Sequence, residues 1–359
     1  MKIVTIIGAR PQFIKAWSTS CALRAAGLDE IVIHTGQHYT ESLSARFFAE
    51  LGLPQPHHHL GVGSGPHGRQ TGRMLEAIEA VLLVEQPDWV LLFGDTNSTL
   101  AGALAAAKLR IPIAHIEAGL RSFNRTMPEE INRITTDHVS DLLFCPCTSA
   151  VAQLAREGIT RGVHEVGDVM QDALLHFVTR ARAESNILTR LGLEPAAYHV
   201  ATLHRAEITD HPDRLQALLA VLGDLDLPVV LPLHPRTRDR LGGSPANCGG
   251  LRLIEPLGYL DMIHLVASSC RVLTDSGGLQ KEAYWLGRPC ITLRAETEWT
   301  ETVTAGWNQL VNDNPALIHA ALHTPEPALR PALYGSGNAA MLIAGLLQTN
   351  TAGAQTNPT

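Results

Sequence analysis

The chain has no long apolar run, no excess of positive charge and few cysteines, and each shortage removes a class of protein. Its 359 residues carry a net charge of −7 with only 18% charged residues. That balance argues against a surface built for nucleic acid or an anionic membrane, while leaving room for a local basic pocket. The opening residues 1–10 hold only a short apolar stretch before Gly8. Neither a secretory signal nor a membrane-spanning helix is expected there. Six cysteines are scattered, and Cys145-Pro146-Cys147 lacks the paired spacing of a zinc site, so free thiols in a cytoplasmic protein are expected. The G-x-G-x-x-G fingerprint of dinucleotide folds is missing after the first strand, which weakens any nicotinamide-dependent reading. Long biased tracts and internal repeats are also absent. What remains is 45% hydrophobic, long enough for two domains, each with its own core.

The most informative stretch is residues 271–294, RVLTDSGGLQKEAYWLGRPCITLR. Residues 272–274 read as a buried strand and Asp275-Ser276-Gly277-Gly278 as a turn. Residues 279–286 have helical spacing, and residues 290–293 form a second strand. Strand, glycine turn, helix, strand is half of a doubly wound α/β domain. The N–H groups and dipole at such a helix start favour a phosphate. Glu282, one turn further in, could accept hydrogen bonds from a ribose diol. A tight turn with no ligand is the plain alternative for the glycine pair alone.

The same grammar recurs along the chain. Residues 2–8 (KIVTIIG) form a strand followed by Arg10 and Lys15, and residues 30–36 (EIVIHTG) a second strand followed by Gln37 and His38. Residues 54–72 read as a polar glycine-rich loop. Its His57, His58, His59 and His67 invite a metal reading, but no metal is expected, because three adjacent side chains cannot all face one ion and no carboxylate accompanies them. Gly61-Val62-Gly63-Ser64-Gly65 within it follows no expected strand. Arg69 and Gln70 open a helix with Met74, Leu75, Ile78, Val81 and Leu82 at helical spacing. Residues 89–94 deliver Asp95 to a helix start with several capping candidates. Residues 112–116 deliver Glu117, and Glu129 and Glu130 follow. Asp95 alone could be a cap and Glu117 alone a partner of Arg121; together they form a carboxylate cluster suited to acid/base work. Strands at 142–147 and 163–167 close the first half, and a helix over 168–185 leads to the second. There, strands 198–203, 228–233 and 251–255 present His204 and Arg205, then His234 with Arg236, in positions suited to phosphate contacts. The polar end, residues 345–359, is expected to fray.

GARPQFIK, TGQH, GDTNST, HIEAGLRS, PEEINR, TLHRAE, LGYLDM, TDSGGLQKEA and LRAETEW, in this order over residues 2–345, resemble the non-hydrolysing UDP-N-acetylglucosamine 2-epimerases. The resemblance implies an α/β fold of two Rossmann-like doubly wound domains facing across a cleft, as in glycosyltransferase-B enzymes. It places an N-terminal domain at 1–170, a UDP-binding domain at 171–345 and a tail at 346–359. It implies a cytoplasmic homodimer without metal or other cofactor, interconverting UDP-GlcNAc and UDP-ManNAc for cell-surface polysaccharide. Asp95, Glu117 and Glu129 would supply acid/base groups. Arg10, His204, Ser276, Gly277, Gly278 and Glu282 would hold UDP, His204 counting with the catalytic set. Lys15 aligns in the first loop. Gln37, His38, Arg69, Gln70, Arg205 and His234 would take a second UDP-GlcNAc as activator, bridging the domains. Their plain alternative is loop-anchoring hydrogen bonds. Ile208, Ala295 and Ser336 depart from the family pattern. Relatives acting on UDP-2,3-diacetamido-glucuronic acid share the LGVGSG-type loop and the TEW segment. A hydrolysing epimerase is the other alternative.

The chemistry explains the pattern. The C2 proton of a hexosamine is not beside a carbonyl, so direct abstraction is too costly. If UDP leaves C1 as a carboxylate takes the C2 proton, a 2-acetamidoglycal results; UDP then re-adds while a proton returns from the opposite face. That route needs diphosphate stabilisation and two acid/base groups.

Overall fold

Apolar runs buried on both faces produce the central strands of the first sheet, and shorter, partly exposed strands flank them to make seven. They are β1 (Lys2–Ile7), β2 (Asp29–His34), β3 (His58–His59), β4 (Trp89–Phe93), β5 (Ile113–Ile116), β6 (Leu142–Cys145) and β7 (Val163–Glu165). All pairs are parallel, in the order β3-β2-β1-β4-β5-β6-β7. The computed structural model describes residues 1–37, 52, 55–233, 235–241 and 249–350. His38 and His234 lie outside the described residues.

The helix His67–Glu85 lays Met74, Ile78 and Leu82 on the core with Val4, Ile33 and Val90. Asn97–Leu109 is a small-residue helix capped by the Thr96 hydroxyl, which accepts from Thr99 N. Its small residues are required by proximity, since a Cβ on Gly102 would sit 2.8 Å from both Ile6 Cδ1 and Leu92 Cδ2. The second sheet holds β8 (His199–Thr202), β9 (Val229–Pro232), β10 (Leu251–Ile254), β11 (Val272–Thr274), β12 (Cys290–Thr292) and β13 (Asn308–Leu310). It is also parallel, ordered β10-β9-β8-β11-β12-β13. Strand order reverses at β1/β4 and at β8/β11, the places where open α/β sheets take ligands at their carboxyl ends.

The chain divides into a unit of residues 1–173 with 334–359, and a second unit of 174–333. In this division residues 334–345 group with the first unit rather than with the expected second domain at 171–345, and of the expected tail at 346–359 the described residues 346–350 are helical. The helix Ala339–Asn350 belongs to the first unit, buries Ile343, Ala344 and Leu347, and packs on the helix Arg10–Ala25. Gln348 Nε2 donates to the Ala26 carbonyl at 2.7 Å. The return is stitched by Asp168 N to the Tyr334 carbonyl at 2.9 Å and Ala340 N to Asp172 Oδ2 at 2.8 Å. The polar end of that helix hid its apolar face. Residues 54–72 are not wholly a loop either, because His58–His59 pairs with β2 as an edge strand. The glycine run at 61–65 thus does follow a strand. Among the described residues, no helix is long and apolar enough to cross a membrane, and the described cysteines are free thiols.

His34 ends β2 fully buried, its ring 4.7 Å from His59 and 5.2 Å from Phe13. Burial, with the His59 charge adding, pushes its pKa from 6.5 down to about 4. The unfolded chain therefore takes the proton first, and stability falls as pH drops from about 6.5 toward 4. His34→Phe keeps the ring stack and removes the proton. Relative to its effect at pH 8, it should gain about 2 kcal/mol at pH 5 in urea unfolding. The same difference at both pH values would refute this origin of acid sensitivity.

Candidate active site

In the first unit, three strand ends bring the expected residues together. β1 leads through Gly8 and Ala9 to the helix carrying Lys15, β4 leads through Gly94 to Asp95, and β5 leads to Glu117. Gln12, which the sequence did not single out, joins the first two ends. Its Oε1 accepts from Gly8 N (2.8 Å) and Ala9 N (3.0 Å), and its Nε2 donates to the Phe93 carbonyl (2.8 Å). Gly8 serves close packing, since a Cβ there would lie 2.1 Å from Ser98 Oγ and 2.2 Å from Thr35 Oγ1.

Lys15 Nζ pairs with Glu117 Oε2, both side chains largely buried. Glu117 is thus not a partner of Arg121, which instead binds Asp137 and Glu157. Glu117 sits at φ +72°, a left-handed conformation that costs a side-chain-bearing residue about 1–3 kcal/mol and clusters at functional sites. Gly94, at φ +62°, leaves the room this pair occupies: a Cβ there would meet Glu117 Oε2 at 3.0 Å and Lys15 Nζ at 3.5 Å. Asp95 Oδ2 accepts from Arg133 Nη2 at 2.6 Å. Burial raises the Asp95 pKa and the Glu117 and Glu129 charges add to it, against Arg133 and Lys15. A carboxyl raised in this way suits proton transfer nearer neutrality.

Glu129 stands exposed in the first turn of the helix Pro128–Val139. Its neighbour Glu130 is buried and holds a loop, accepting from Ser122 N, Ser122 Oγ and Phe123 N at 2.8, 2.9 and 3.0 Å. Arg10 opens the helix Arg10–Ala25, and its side chain lies outside the described parts. The four loop histidines go separate ways. His57 accepts from Val32 N, His58 meets Glu85, His59 stacks on His34, and His67 meets Asn97.

In the second unit, β8 and β11 lie side by side, with Thr202 opposite Thr274 and their hydroxyls 2.6 Å apart. β11 runs into Asp275, which is fully buried. Its Oδ2 accepts from His204 N (2.7 Å) and Arg205 N (2.8 Å), and its Oδ1 meets His204 Nδ1 at 2.9 Å. Burial alone would raise the Asp275 pKa, but the His204 ring and these N–H groups more than offset it and hold it low. The carboxylate thus fixes the His204 ring, which stays partly exposed.

The helix expected at 279–286 runs over Gly277–Trp285, so the two glycines are its first turn rather than the turn before it. Ser276 takes the N-cap position in extended conformation, and its side chain makes no cap hydrogen bond. A Cβ on Gly278 would meet open space. The first-turn N–H groups are therefore left to an outside acceptor. Glu282, one turn on, has the Tyr259 hydroxyl 3.3 Å from its Oε1. Gln280 Oε1 accepts from Thr297 Oγ1 (2.6 Å) and Asn308 Nδ2 (3.0 Å), tying the TEW segment to this helix. Lys281 is buried beneath Trp299, its Nζ 3.8 Å from the ring centroid.

Gln37 and Gln70 take anchoring roles. Gln37 Oε1 accepts from Ser98 N and Oγ at 3.0 and 2.7 Å; Gln70 Nε2 donates to the Gly63 carbonyl at 2.8 Å. Gln70 Oε1 accepts from Asn97 at 2.8 Å. Beside them is an open pocket lined by Val62, Gly63, Ser64, Gly65, Arg69, Gln70 and Arg73.

The family described as UDP-N-acetylglucosamine 2-epimerase matches residues 22–348. The chain is 51% identical to a Pseudomonas aeruginosa UDP-2,3-diacetamido-2,3-dideoxy-D-glucuronate 2-epimerase, covering 97% of this chain and 99% of that one. It is similar to the crystal structure of Methanocaldococcus jannaschii UDP-GlcNAc 2-epimerase in complex with UDP-GlcNAc and UDP. There the TM-score is 0.89 at 42% identity, covering 97% of this chain and all of that one. A TM-score of 0.57 to the calicheamicin glycosyltransferase CalG4, at 13% identity and 99% coverage of each chain, marks the fold as glycosyltransferase-B-like. With its two parallel sheets and strand-end residues in the motifs that suggested it, the chain belongs to the UDP-N-acetylglucosamine 2-epimerase family and is a UDP-sugar 2-epimerase.

Proposed function

We propose that the protein interconverts UDP-GlcNAc and UDP-ManNAc without hydrolysis. The observation that carries this reading is the grouping of Asp95 with Arg133 and of Glu117 with Lys15 at adjacent strand ends. Two carboxylates held by separate cations can differ in protonation, which is what removing and returning one proton requires. In this reading, a carboxylate takes the C2 proton as the C1–O bond breaks, and the bonding pair of that bond leaves with UDP. The 2-acetamidoglycal then accepts UDP again at C1 and a proton at C2 from the opposite face. Glu129, exposed beside Asp95 in charge, relays protons with solvent. UDP is held by Ser276, the first-turn N–H groups of Gly277 and Gly278, Glu282 and Arg10, and His204 stabilises the departing diphosphate. We place the activity in the cytoplasm and in a homodimer, serving cell-surface polysaccharide.

A second substrate is favoured by the 51% identity to the diacetamido-glucuronate enzyme. Incubating the protein in D₂O with each UDP-sugar separately decides between them. Deuterium at C2 of intact UDP-GlcNAc and UDP-ManNAc is expected. Exchange confined to UDP-2,3-diacetamido-glucuronate would move the assignment to that substrate, and free ManNAc would make the enzyme a hydrolase.

The pocket beside Arg69 and Arg73 is proposed to accept a second nucleotide sugar as activator, because two cations and the start of the helix His67–Glu85 suit a diphosphate. Conversion of pure UDP-ManNAc should be slow and accelerate when a trace of UDP-GlcNAc is added. Arg69→Ala should abolish that acceleration with UDP affinity unchanged. If the wild type shows no lag, the regulatory reading falls.

A further inference from the structure

His115 lies in β5 with its side chain fully buried, and each ring nitrogen meets an acceptor. Nε2 is 2.7 Å from the Gly94 carbonyl oxygen and Nδ1 is 2.7 Å from Asp137 Oδ1. A carbonyl oxygen has no proton to give, so Nε2 carries one. On the other side, either the ring or Asp137 must supply the proton. Asp137 Oδ2 already accepts from Gly119 N (3.1 Å) and Arg121 Nη1 (2.7 Å), which favours the ionised carboxylate. Burial alone would raise the Asp137 pKa, but its contacts with His115 and Arg121 more than offset this and keep it low. Arg121 also binds both oxygens of Glu157, each at 2.8 Å. A charged His115 balances the buried Asp137 carboxylate, while Arg121 also balances the partly exposed Glu157, which lies 3.9 Å from His138 Nδ1. The nearby Cys145 thiol, pushed up by burial and by Asp137, stays protonated. Around Gly94 on the other side stand Asp95 and the Lys15–Glu117 pair.

We propose that His115 carries two protons and acts with Asp137 as a positioning pair for the proton-transfer groups. It joins three elements: the Gly94 turn that leads to Asp95, the turn that carries Glu117, and the helix Pro128–Val139 that begins beside Glu129. The second of these has most need of holding. Glu117 is in the left-handed region, and its turn is fixed by Glu117 N and Ala118 N to the Phe144 carbonyl (3.1 and 3.2 Å) and by Gly119 N to Asp137. The proposal rests on Asp95 and Glu117 being the groups that move the proton.

The test compares His115→Gln and Asp137→Asn with Asp95→Asn in the full-length enzyme, each checked for fold by circular dichroism. His115→Gln keeps one of the two donors, and Asp137→Asn keeps the shape but removes the charge. Both should lower kcat by about 10- to 100-fold, as misplacing reacting groups does, while KM and UDP affinity by calorimetry move less than threefold. ¹⁵N-histidine NMR of the wild type at pH 7.5 should show one ring with both nitrogens protonated, a signal altered in Asp137→Asn. If Asp95→Asn retains turnover, the underlying assignment of the acids is wrong. If Asp95→Asn is inactive while folded His115→Gln and Asp137→Asn keep wild-type kcat, the positioning role is overturned. If no doubly protonated ring is seen, the charged pair is overturned even where kcat falls.

Discussion

Asp95→Asn and Glu117→Gln should each lower kcat by about 10²-fold or more, the usual weight of a general acid or base, with far-UV circular dichroism unchanged. Both substitutions preserve shape, so the effect isolates the proton. Glu117→Gln also leaves Lys15 facing a neutral amide, which removes the pair without opening a cavity. Asp95→Asn does the same to Arg133, whose Nη2 keeps an oxygen to donate to. Deuterium incorporation at C2 should fall with kcat in both variants, because in the proposed reading one acid removes the C2 proton and the other supplies its replacement on the opposite face. Near-normal exchange in either would take that residue out of the mechanism. Glu129→Gln is expected to do less, since its exposed carboxylate can be replaced by water as a relay.

Asp275→Ala should cost about 3 kcal/mol of stability and much of the activity. One fully buried carboxylate takes two backbone N–H groups and the His204 ring. Truncation leaves those N–H groups without their acceptor, each at about 1–3 kcal/mol, and frees the His204 ring, which the proposed reading sets against the diphosphate. Because the Asp275 pKa is held below its usual value in the folded chain, its contribution is present above the unfolded pKa near 3.8 and is lost as pH falls through the folded value. Urea unfolding at pH 7 and pH 3 checks this: the difference between wild type and variant should shrink at the lower pH. A variant within about 0.5 kcal/mol of wild type at pH 7, the scatter of ordinary surface substitutions, would show that the carboxylate is dispensable.

Much of the fold was legible in the sequence because parallel strands between two helix layers are apolar on both faces. Residues 2–8, 89–94 and 272–274 announce themselves as unbroken runs, and the residues after them lie at the carboxyl edge whatever the final topology. Asp95, Glu117, His204 and Ser276 accordingly stand just past strand ends, where their positions in the sequence had put them. Short edge strands gave no such signal: His58–His59 and Asn308–Leu310 are polar and exist because a neighbouring strand offers them a ladder. The helix Ala339–Asn350 ends in polar residues, and only its packing on Arg10–Ala25 shows which face is buried. The glycine pair could be read as a turn or as a helix start until the backbone placed Ser276 at the cap.

Partnership was the part that sequence could not decide. Lys15 meets Glu117 across 102 residues and Asp275 meets His204 N across 71. Strand order brings them together, and no local pattern encodes strand order. The sequence by itself determined the family, the parallel α/β class and the acids at the strand ends, since these follow from residue type and local spacing. Only the tertiary structure decided that Glu117 pairs with Lys15 rather than Arg121, that Gln12 and Asp275 hold the loops, and that His115 sits between two acceptors. Those depend on which strand ends become neighbours once the two sheets have closed their hydrogen-bond ladders.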